Sequence, residues 1–135
     1  MAKQRVLILC TGNSARSQMA EGLLRQMAGD RFDVFSAGTR PAGLNPNAVA
    51  VMKEIGIDIS GQHSKPVGEF AGQSFDYVIT VCDNARESCP IFPGKGQRIH
   101  QSFDDPAAYP GEQGTAFRRV RDELNSWLKE FVTRN

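Results

Sequence analysis

Near its start the chain carries a cysteine, five intervening residues and an arginine, in the segment Cys10-Thr-Gly-Asn-Ser-Ala-Arg16. Cys10 ends an apolar run and a predicted helix starts at about residue 15, so the segment is expected to be a loop. Small and polar residues in such a loop can turn backbone N–H groups inward as an anion nest, and the helix N-terminus adds partial positive charge. The pattern predicts an oxyanion site at Thr11, Gly12, Asn13, Ser14, Ala15 and Arg16, and Gly12 permits a positive φ in it.

Chemistry at this loop is expected to come from Cys10. A positive potential favours the thiolate, which is the reactive form of cysteine. The planar guanidinium of Arg16 matches two oxygens of a tetrahedral oxyanion, and Ser17 can donate a hydrogen bond to the sulfur. No Gly-Lys-Ser/Thr ends the loop, which disfavours a nucleotide site. We therefore predict that Cys10 is a nucleophile that attacks a bound oxyanion.

Two further cysteines, Cys82 and Cys89, follow a second apolar run. Three thiols do not suit a secreted disulfide framework, and these cysteines do not form a zinc spacing with either histidine. From the residues alone, Cys82 and Cys89 can be either inert core residues or redox-active thiols. Asp105 directly precedes a proline, a pattern that by itself usually marks a turn, and it draws attention only because it follows the last predicted strand.

Apolar runs that alternate with helical periodicity indicate one α/β domain over residues 1–135. A helix should start at Pro46 after an Asn45 cap, and its apolar stripe extends to Ile55, with Gly56 closing it. We expect functional groups at the carboxyl ends of the parallel strands, where Cys10, Cys82 and Asp105 fall. The expected strands cover 6–10, 33–36, 77–81 and 98–100, and the other helices cover 15–28 and 117–131, where Trp127 belongs to the apolar stripe.

Composition excludes several classes of protein. A formal net charge of +1 argues against a nucleic-acid binder with a broad basic face. No window of 18 uncharged apolar residues is present, and the N-terminal run lacks a cleavage site of the signal-peptide type. We expect a cytoplasmic monomer that contacts neither nucleic acid nor membrane.

The chain resembles the low-molecular-weight protein tyrosine phosphatase superfamily, whose signature is the cysteine, five residues and arginine near the N-terminus. Asp104-Asp105-Pro106 resembles the late Asp-Pro of that family, and Ser36-Ala37-Gly38-Thr39 is also similar. The resemblance implies a four-stranded parallel sheet flanked by helices. It also implies that Asp105, rather than Asp104, is the general acid, because Asp105 directly precedes the proline.

Cys82 and Cys89 are similar to a pair in the thioredoxin-coupled arsenate reductases of this superfamily. Alanines follow Pro106, where phosphotyrosine-directed members typically place aromatic residues. The resemblance implies that arsenate is reduced to arsenite, that Cys10–Cys82 and then Cys82–Cys89 disulfides form, and that thioredoxin restores the thiols. If 83–88 are helical in the reduced protein, the two Cα atoms stand about 10 Å apart. A disulfide needs about 4.4–6.8 Å, so we expect 82–93 to unwind on oxidation.

No cofactor is required by this chemistry. Some of the reductases hold potassium at positions that correspond to Asn13, Glu21 and Ser36, but Lys65 stands where they have an acid. The lysine either replaces the cation or removes its site.

Two other functions remain open: a phosphatase whose distal cysteines protect Cys10, and a non-catalytic protein that binds arsenite with three thiols. A protein that only binds arsenite would leave the presence of Arg16 and Asp105 unexplained.

Overall fold

A four-stranded parallel sheet forms the centre of the computed structural model, which describes residues 3–90, 92–94, 96–109, 111 and 113–135. The strand order is β2-β1-β3-β4, and every pairing is parallel. This confirms the predicted sheet. The strands are β1 (Gln4–Cys10), β2 (Phe32–Gly38), β3 (Tyr77–Thr80) and β4 (Gln97–His100).

Helices connect the strands, as a parallel sheet requires. They are α1 (Arg16–Ala28), α2 (Pro46–Lys53), α3 (Asp83–Ser88) and α4 (Gln113–Arg134), with short 3-10 helices at Val67–Phe70 and Pro106–Ala108. The parts of the chain that the structure describes contain no helix with the length and hydrophobicity of a membrane span.

The core lies on both faces of the central strand. Val6 to Leu9 of β1 are fully buried, which explains why that run is continuously apolar rather than alternating. Along β2, Phe32 packs on Phe131 of α4, whereas Phe35 packs on Phe70. Side chains alternate along a strand, so these two phenylalanines serve opposite faces of the sheet.

The long C-terminal helix confirms its predicted apolar stripe. Trp127 is partly buried, stacks on Phe131 and meets Phe103 edge to face, so it acts as a packing residue. The other members of the stripe are almost fully buried: Phe117, Val120, Leu124, Leu128 and Phe131.

The second helix begins as predicted but ends earlier. Asn45 caps it by accepting a hydrogen bond from Asn47 N at 2.8 Å, and Pro46 occupies the first turn. The helix stops at Lys53, and Ile55 is 45 % exposed, so the prediction that Ile55 belongs to the buried stripe is wrong. The chain turns away at Gly56, whose φ of 79° suits glycine.

Candidate active site

The loop from Cys10 to Arg16 joins β1 to α1 and is held by the chain that follows β2. Its carbonyl oxygens are turned outward and accept hydrogen bonds from backbone N–H groups of that segment. Outward carbonyls are what a loop needs if it is to present N–H groups on its other side. The four bonds run from Thr39 N to Cys10 O, Arg40 N to Thr11 O, Ala42 N to Gly12 O, and Asn45 N to Ser14 O.

The left-handed residue of this loop is Asn13, with a φ of 46°. Gly12, which would permit a positive φ, does not adopt one. Asparagine tolerates this region better than most residues, and here three hydrogen bonds fix its buried side chain. Asn13 Nδ2 donates to Ser17 Oγ (2.7 Å) and Ser36 Oγ (2.9 Å), while its Oδ1 accepts from Lys65 N (2.9 Å).

Cys10 lies at the base of the loop, with only 2 % of its surface exposed. Its Sγ is 2.9 Å from Ser17 Oγ, which confirms the predicted contact. Cys10 lines a pocket of about 490 Å³. The other residues around this pocket are Thr11, Gly12, Ser14, Ala15, Arg16, Arg40, Ala42, Asn45, Asp105 and Ala107.

Arg16 and Asp105 meet at the edge of this pocket. The Arg16 side chain is 13 % exposed, and its Nη1 donates to the Phe103 carbonyl at 3.1 Å. Its Nη2 is 4.0 Å from Asp105 Oδ2. Asp105 also caps a 3-10 turn, where its Oδ1 accepts from Ala107 N at 3.0 Å. These contacts leave the half-exposed carboxyl facing the cation and the pocket.

Asp104 has different contacts. Its carboxylate accepts a hydrogen bond from the Tyr109 hydroxyl at 3.1 Å and pairs with Arg119 at 3.2 Å. It is not among the residues that line the pocket. The preference for Asp105 over Asp104, which the sequence pattern suggested, is therefore consistent with the geometry.

Cys82 stands beside the loop, at the start of α3. Its Sγ is 3.3 Å from Thr11 Oγ1, and Thr11 directly follows Cys10 in the chain. The sulfur also caps the helix, since it accepts a hydrogen bond from Ala85 N at 3.4 Å. Asn84 of the same helix accepts from the hydroxyls of Thr11 and Thr39, each at 3.4 Å. The structure thus brings Cys82 next to the loop that begins at Cys10.

Cys89 lies outside the pocket, at the other end of α3. It is partly buried, and burial raises the pKa of its thiol while the charge of Arg98 opposes that rise. Residues 83–88 are helical, as the sequence-based geometry assumed, and all three cysteines are free thiols. Ile91, which belongs to the stretch expected to unwind, lies outside the described residues.

The residues compared with a potassium site form an internal network. Ser36 Oγ donates to Glu21 Oε1 at 2.5 Å, and Arg25 pairs with Glu21 Oε2 at 2.8 Å. Lys65 is partly buried nearby; burial lowers its pKa, and the negative charge of Glu21 opposes that shift. Both carboxylate oxygens of Glu21 are thus engaged by protein donors.

Sequence reasoning missed several residues of this region. Arg40 borders the pocket as a second cation. His100, which has no partner motif in the sequence, pairs with Asp83 of α3 at 2.9 Å. Arg98 contacts Cys89. None of these residues lies in a short motif, so only tertiary contacts could identify them.

The profile of the low molecular weight phosphotyrosine protein phosphatase family matches residues 5–134, which include the loop, both distal cysteines and Asp105. The chain belongs to this family. Within it, the chain is 49 % identical to an arsenate reductase of Halalkalibacterium halodurans over 98 % of this chain and 97 % of that one. It is 48 % identical to an arsenate reductase of Bacillus subtilis with the same coverage.

Solved structures of the family have the same architecture. A structure described as an arsenate reductase in oxidized state superposes with a TM-score of 0.82 at 31 % sequence identity. The match covers 97 % of this chain and 98 % of that one. The fold and the enzyme family are therefore established, and both relatives described above are named arsenate reductase.

Proposed function

We propose that this protein reduces arsenate to arsenite with Cys10, Cys82 and Cys89, and that a thioredoxin-type dithiol protein restores the thiols. The main support is the position of Cys82, whose sulfur contacts Thr11 of the loop that begins at Cys10. Cys89 lies at the opposite end of α3. A phosphatase has no need of a thiol there. The names of the most similar relatives support the same activity.

Substrate binding begins at the loop. Arsenate is a tetrahedral oxyanion, and the inward N–H groups of residues 11–16 with the N-terminus of α1 attract it. Arg16 supplies the fork that holds two oxygens. Arg40 adds a second positive charge at the rim, which favours a doubly charged anion over a singly charged one.

The first chemical step joins Cys10 to arsenic. The Cys10 thiolate attacks arsenic, an As–S bond forms, and an oxygen leaves as water once Asp105 has protonated it. The Ser17 hydroxyl lies 2.9 Å from the Cys10 sulfur, a position from which it donates a hydrogen bond to the attacking thiolate in this proposal. Asp105 is close enough to Arg16 for the acid and the bound oxyanion to share one side of the pocket.

Reduction follows when the Cys82 thiolate attacks the Cys10 sulfur. A Cys10–Cys82 disulfide forms, the As–S bond breaks with its electron pair going to arsenic, and arsenite leaves. Ala85 N donates a hydrogen bond to the Cys82 sulfur, and Thr11 Oγ1 lies 3.3 Å from it, so these contacts hold the sulfur beside the loop of Cys10.

Cys89 then attacks Cys82, so that Cys10 is released as a thiolate and a Cys82–Cys89 disulfide remains. An external dithiol accepts the oxidation in turn, and the three thiols return to the state that the structure shows. A reducing compartment such as the cytoplasm suits this cycle.

A second candidate function is the hydrolysis of phosphate monoesters. The pocket favours it, because Cys10, Arg16 and Asp105 are also the groups that phosphoryl transfer through a cysteine would use. Ala107 and exposed Ala108 follow Pro106, so no aromatic side chain there stacks on a tyrosine ring. We propose at most a residual phosphatase activity.

Thioredoxin-dependent arsenate turnover in the parent protein and in Cys10→Ser, Cys82→Ser and Cys89→Ser separates these functions. A reductase loses multiple turnover in all three variants. Cys89→Ser still releases about one arsenite per protein, because only regeneration is blocked. A phosphatase would cleave an aryl phosphate in the parent, Cys82→Ser and Cys89→Ser proteins without turning over arsenate. An arsenite-binding protein would do neither, and either result would overturn the proposal.

We further propose that activity needs no potassium. The Lys65 ammonium supplies positive charge close to Glu21, and Asn13, Ser36 and Glu21 already hydrogen-bond one another. The loop is thereby held by protein groups alone.

A further inference from the structure

Two side chains of strand β4 reach the two ends of the segment that carries the distal cysteines. Arg98 and His100 are two residues apart, so they project from the same face of the strand. They pair in register with Val78 and Thr80 of β3. Above this face lies the stretch from Asp83 to Pro90, which comprises α3 and the turn after it.

Arg98 holds the end of this segment that contains Cys89. One guanidinium nitrogen, Nη2, donates to the Pro90 carbonyl at 2.5 Å and to the Cys89 carbonyl at 3.2 Å. The same nitrogen lies 3.1 Å from Cys89 Sγ. A single cationic group thus fixes both the backbone and the thiol of Cys89.

His100 holds the beginning of the segment. Its Nε2 is 2.9 Å from Asp83 Oδ1, in the first turn of α3. Its other ring nitrogen, Nδ1, is 2.7 Å from Thr80 Oγ1, so the ring is oriented from the sheet below. Asp83 directly follows Cys82, and the helix start is thereby tied to β4 next to that thiol.

The segment is not tightly packed on the strands beneath it. A cavity of about 170 Å³ lies between them and is bordered by Cys89, Arg98 and His100, together with Val78 and Thr80. Side-chain contacts from Arg98 and His100 therefore replace part of the close packing that holds the longer helices.

We propose that Arg98 is a positioning residue of the thiol relay: together with His100 it clamps α3 onto β4 in the dithiol state, and the clamp opens when Cys89 joins Cys82. This inference rests on the proposed relay. Cys82 and Cys89 flank six helical residues, which keeps their Cα atoms about 10 Å apart, beyond the reach of a disulfide. The contacts of Arg98 with Cys89 and Pro90 therefore belong to the dithiol state alone.

Contacts made in only one redox state shift the equilibrium between the two states. The clamp stabilises the dithiol, so removing it favours the disulfide. In the reaction considered, two thiols and one glutathione disulfide give the Cys82–Cys89 disulfide and two molecules of glutathione. Two electrons and two protons pass to glutathione, so the balance is complete.

The test uses the full-length Cys10→Ser protein, in which Cys82 and Cys89 are the remaining thiols. It is equilibrated with glutathione buffers, and the disulfide fraction is measured by alkylation and mass spectrometry. We expect Arg98→Ala to raise the equilibrium constant for disulfide formation about threefold to tenfold, as expected for an exposed charge-assisted contact. His100→Asn shifts it in the same direction by less, and Arg98→Lys, which keeps a charge but loses the fork, lies between the parent and Arg98→Ala.

The matched control is Arg118→Ala. Arg118 also makes three hydrogen bonds through an exposed guanidinium, but it makes them to Glu54, remote from the cysteines. A shift with Arg98→Ala and none with Arg118→Ala supports the clamp. Equal constants for Arg98→Ala and the parent, or an equal shift with Arg118→Ala, overturn the clamp while leaving the relay standing. If the parent pair forms no disulfide at all, both the relay and the clamp are wrong.

Discussion

The loop that holds Cys10 and the segment that holds Cys82 and Cys89 are built in opposite ways. The loop is fixed from several sides: its carbonyls bind the chain after β2, and buried Asn13 ties it to Ser17 and Ser36. The second segment is a helix of six residues, and most of its positions with described side chains are exposed. It is held mainly through contacts at its two ends.

This difference suits the two tasks that the proposed mechanism assigns to these segments. Stabilising a thiolate and an oxyanion requires dipoles that do not move during the reaction, because reorganisation would cost part of the stabilisation. Passing a disulfide from one thiol to another requires a thiol that travels several ångströms. A tightly bonded loop meets the first demand, and a short, weakly packed helix meets the second.

Among substitutions at the Cys10 loop and its pocket, we expect a change of Asp105 to reduce activity most. We expect Asp105→Asn to lower kcat/KM for arsenate about 10³-fold, since an amide cannot donate the proton that a leaving oxygen needs. Asp104→Asn is the control, because that carboxylate contacts Tyr109 and Arg119 instead of the pocket. Similar losses in the two variants would contradict the assignment of Asp105.

Rigidity of the loop can be tested at Gly38. A Cβ added there would lie 2.6 Å from Thr11 O and 2.9 Å from Asn13 N, both of them backbone atoms of the loop. The loop must shift, and we expect Gly38→Ala to lower kcat/KM about 100-fold. Gly61→Ala, where a Cβ meets no atom within 4 Å, should keep parental activity. Full activity in Gly38→Ala would show that the loop adapts.

Mobility of the second region can be measured by hydrogen exchange. We expect the amides of 83–88 to exchange about tenfold faster in the Cys82–Cys89 disulfide form than in the dithiol, because the helix must open. Amides of 11–16 should change less. Equal exchange across 82–93 in the two forms would show that the disulfide closes without unwinding.

The smallest effect is expected from potassium. Replacing sodium by potassium at constant ionic strength should change kcat/KM less than about twofold, because Lys65 already places a cation near Glu21. Lys65→Asp removes that charge and adds a carboxylate, so this variant should gain a potassium response. Lys65→Gln, which removes the charge without adding an oxygen anion, is the control. A strong potassium response in the parent would contradict the proposal.

Local patterns predicted the long elements well. The burial of β1 could be predicted because its apolar run lies within one strand. The apolar stripe of α4 could be predicted because its spacing repeats over a few helical turns. The Asn45 cap was found for the same reason. The end of α2 was predicted wrongly, because Ile55 fits the helical spacing of the apolar residues. In the structure the chain turns at Gly56 and leaves the Ile55 side chain exposed to solvent.

In the loop from Cys10 to Arg16, too, some features could be predicted from local sequence and others depend on tertiary contacts. The cysteine, the arginine and Ser17 were identified from spacing, and the contact of Ser17 with Cys10 is present. Intrinsic preference alone would place a positive φ at Gly12. It belongs to Asn13 because Ser17, Ser36 and the backbone of Lys65 hold that side chain, and two of these partners come from distant parts of the chain.

The sequence by itself determined which groups are available for the proposed chemistry: a thiol, an arginine six positions later, an aspartate before a proline, and two further thiols. Residue types and short spacings carry that information because each feature lies within one loop or one short segment. Tertiary structure alone decided that Cys82 contacts Thr11, that Arg40 borders the pocket, and that Arg98 holds Cys89. These contacts come from parallel strands that place distant segments at one edge of the sheet.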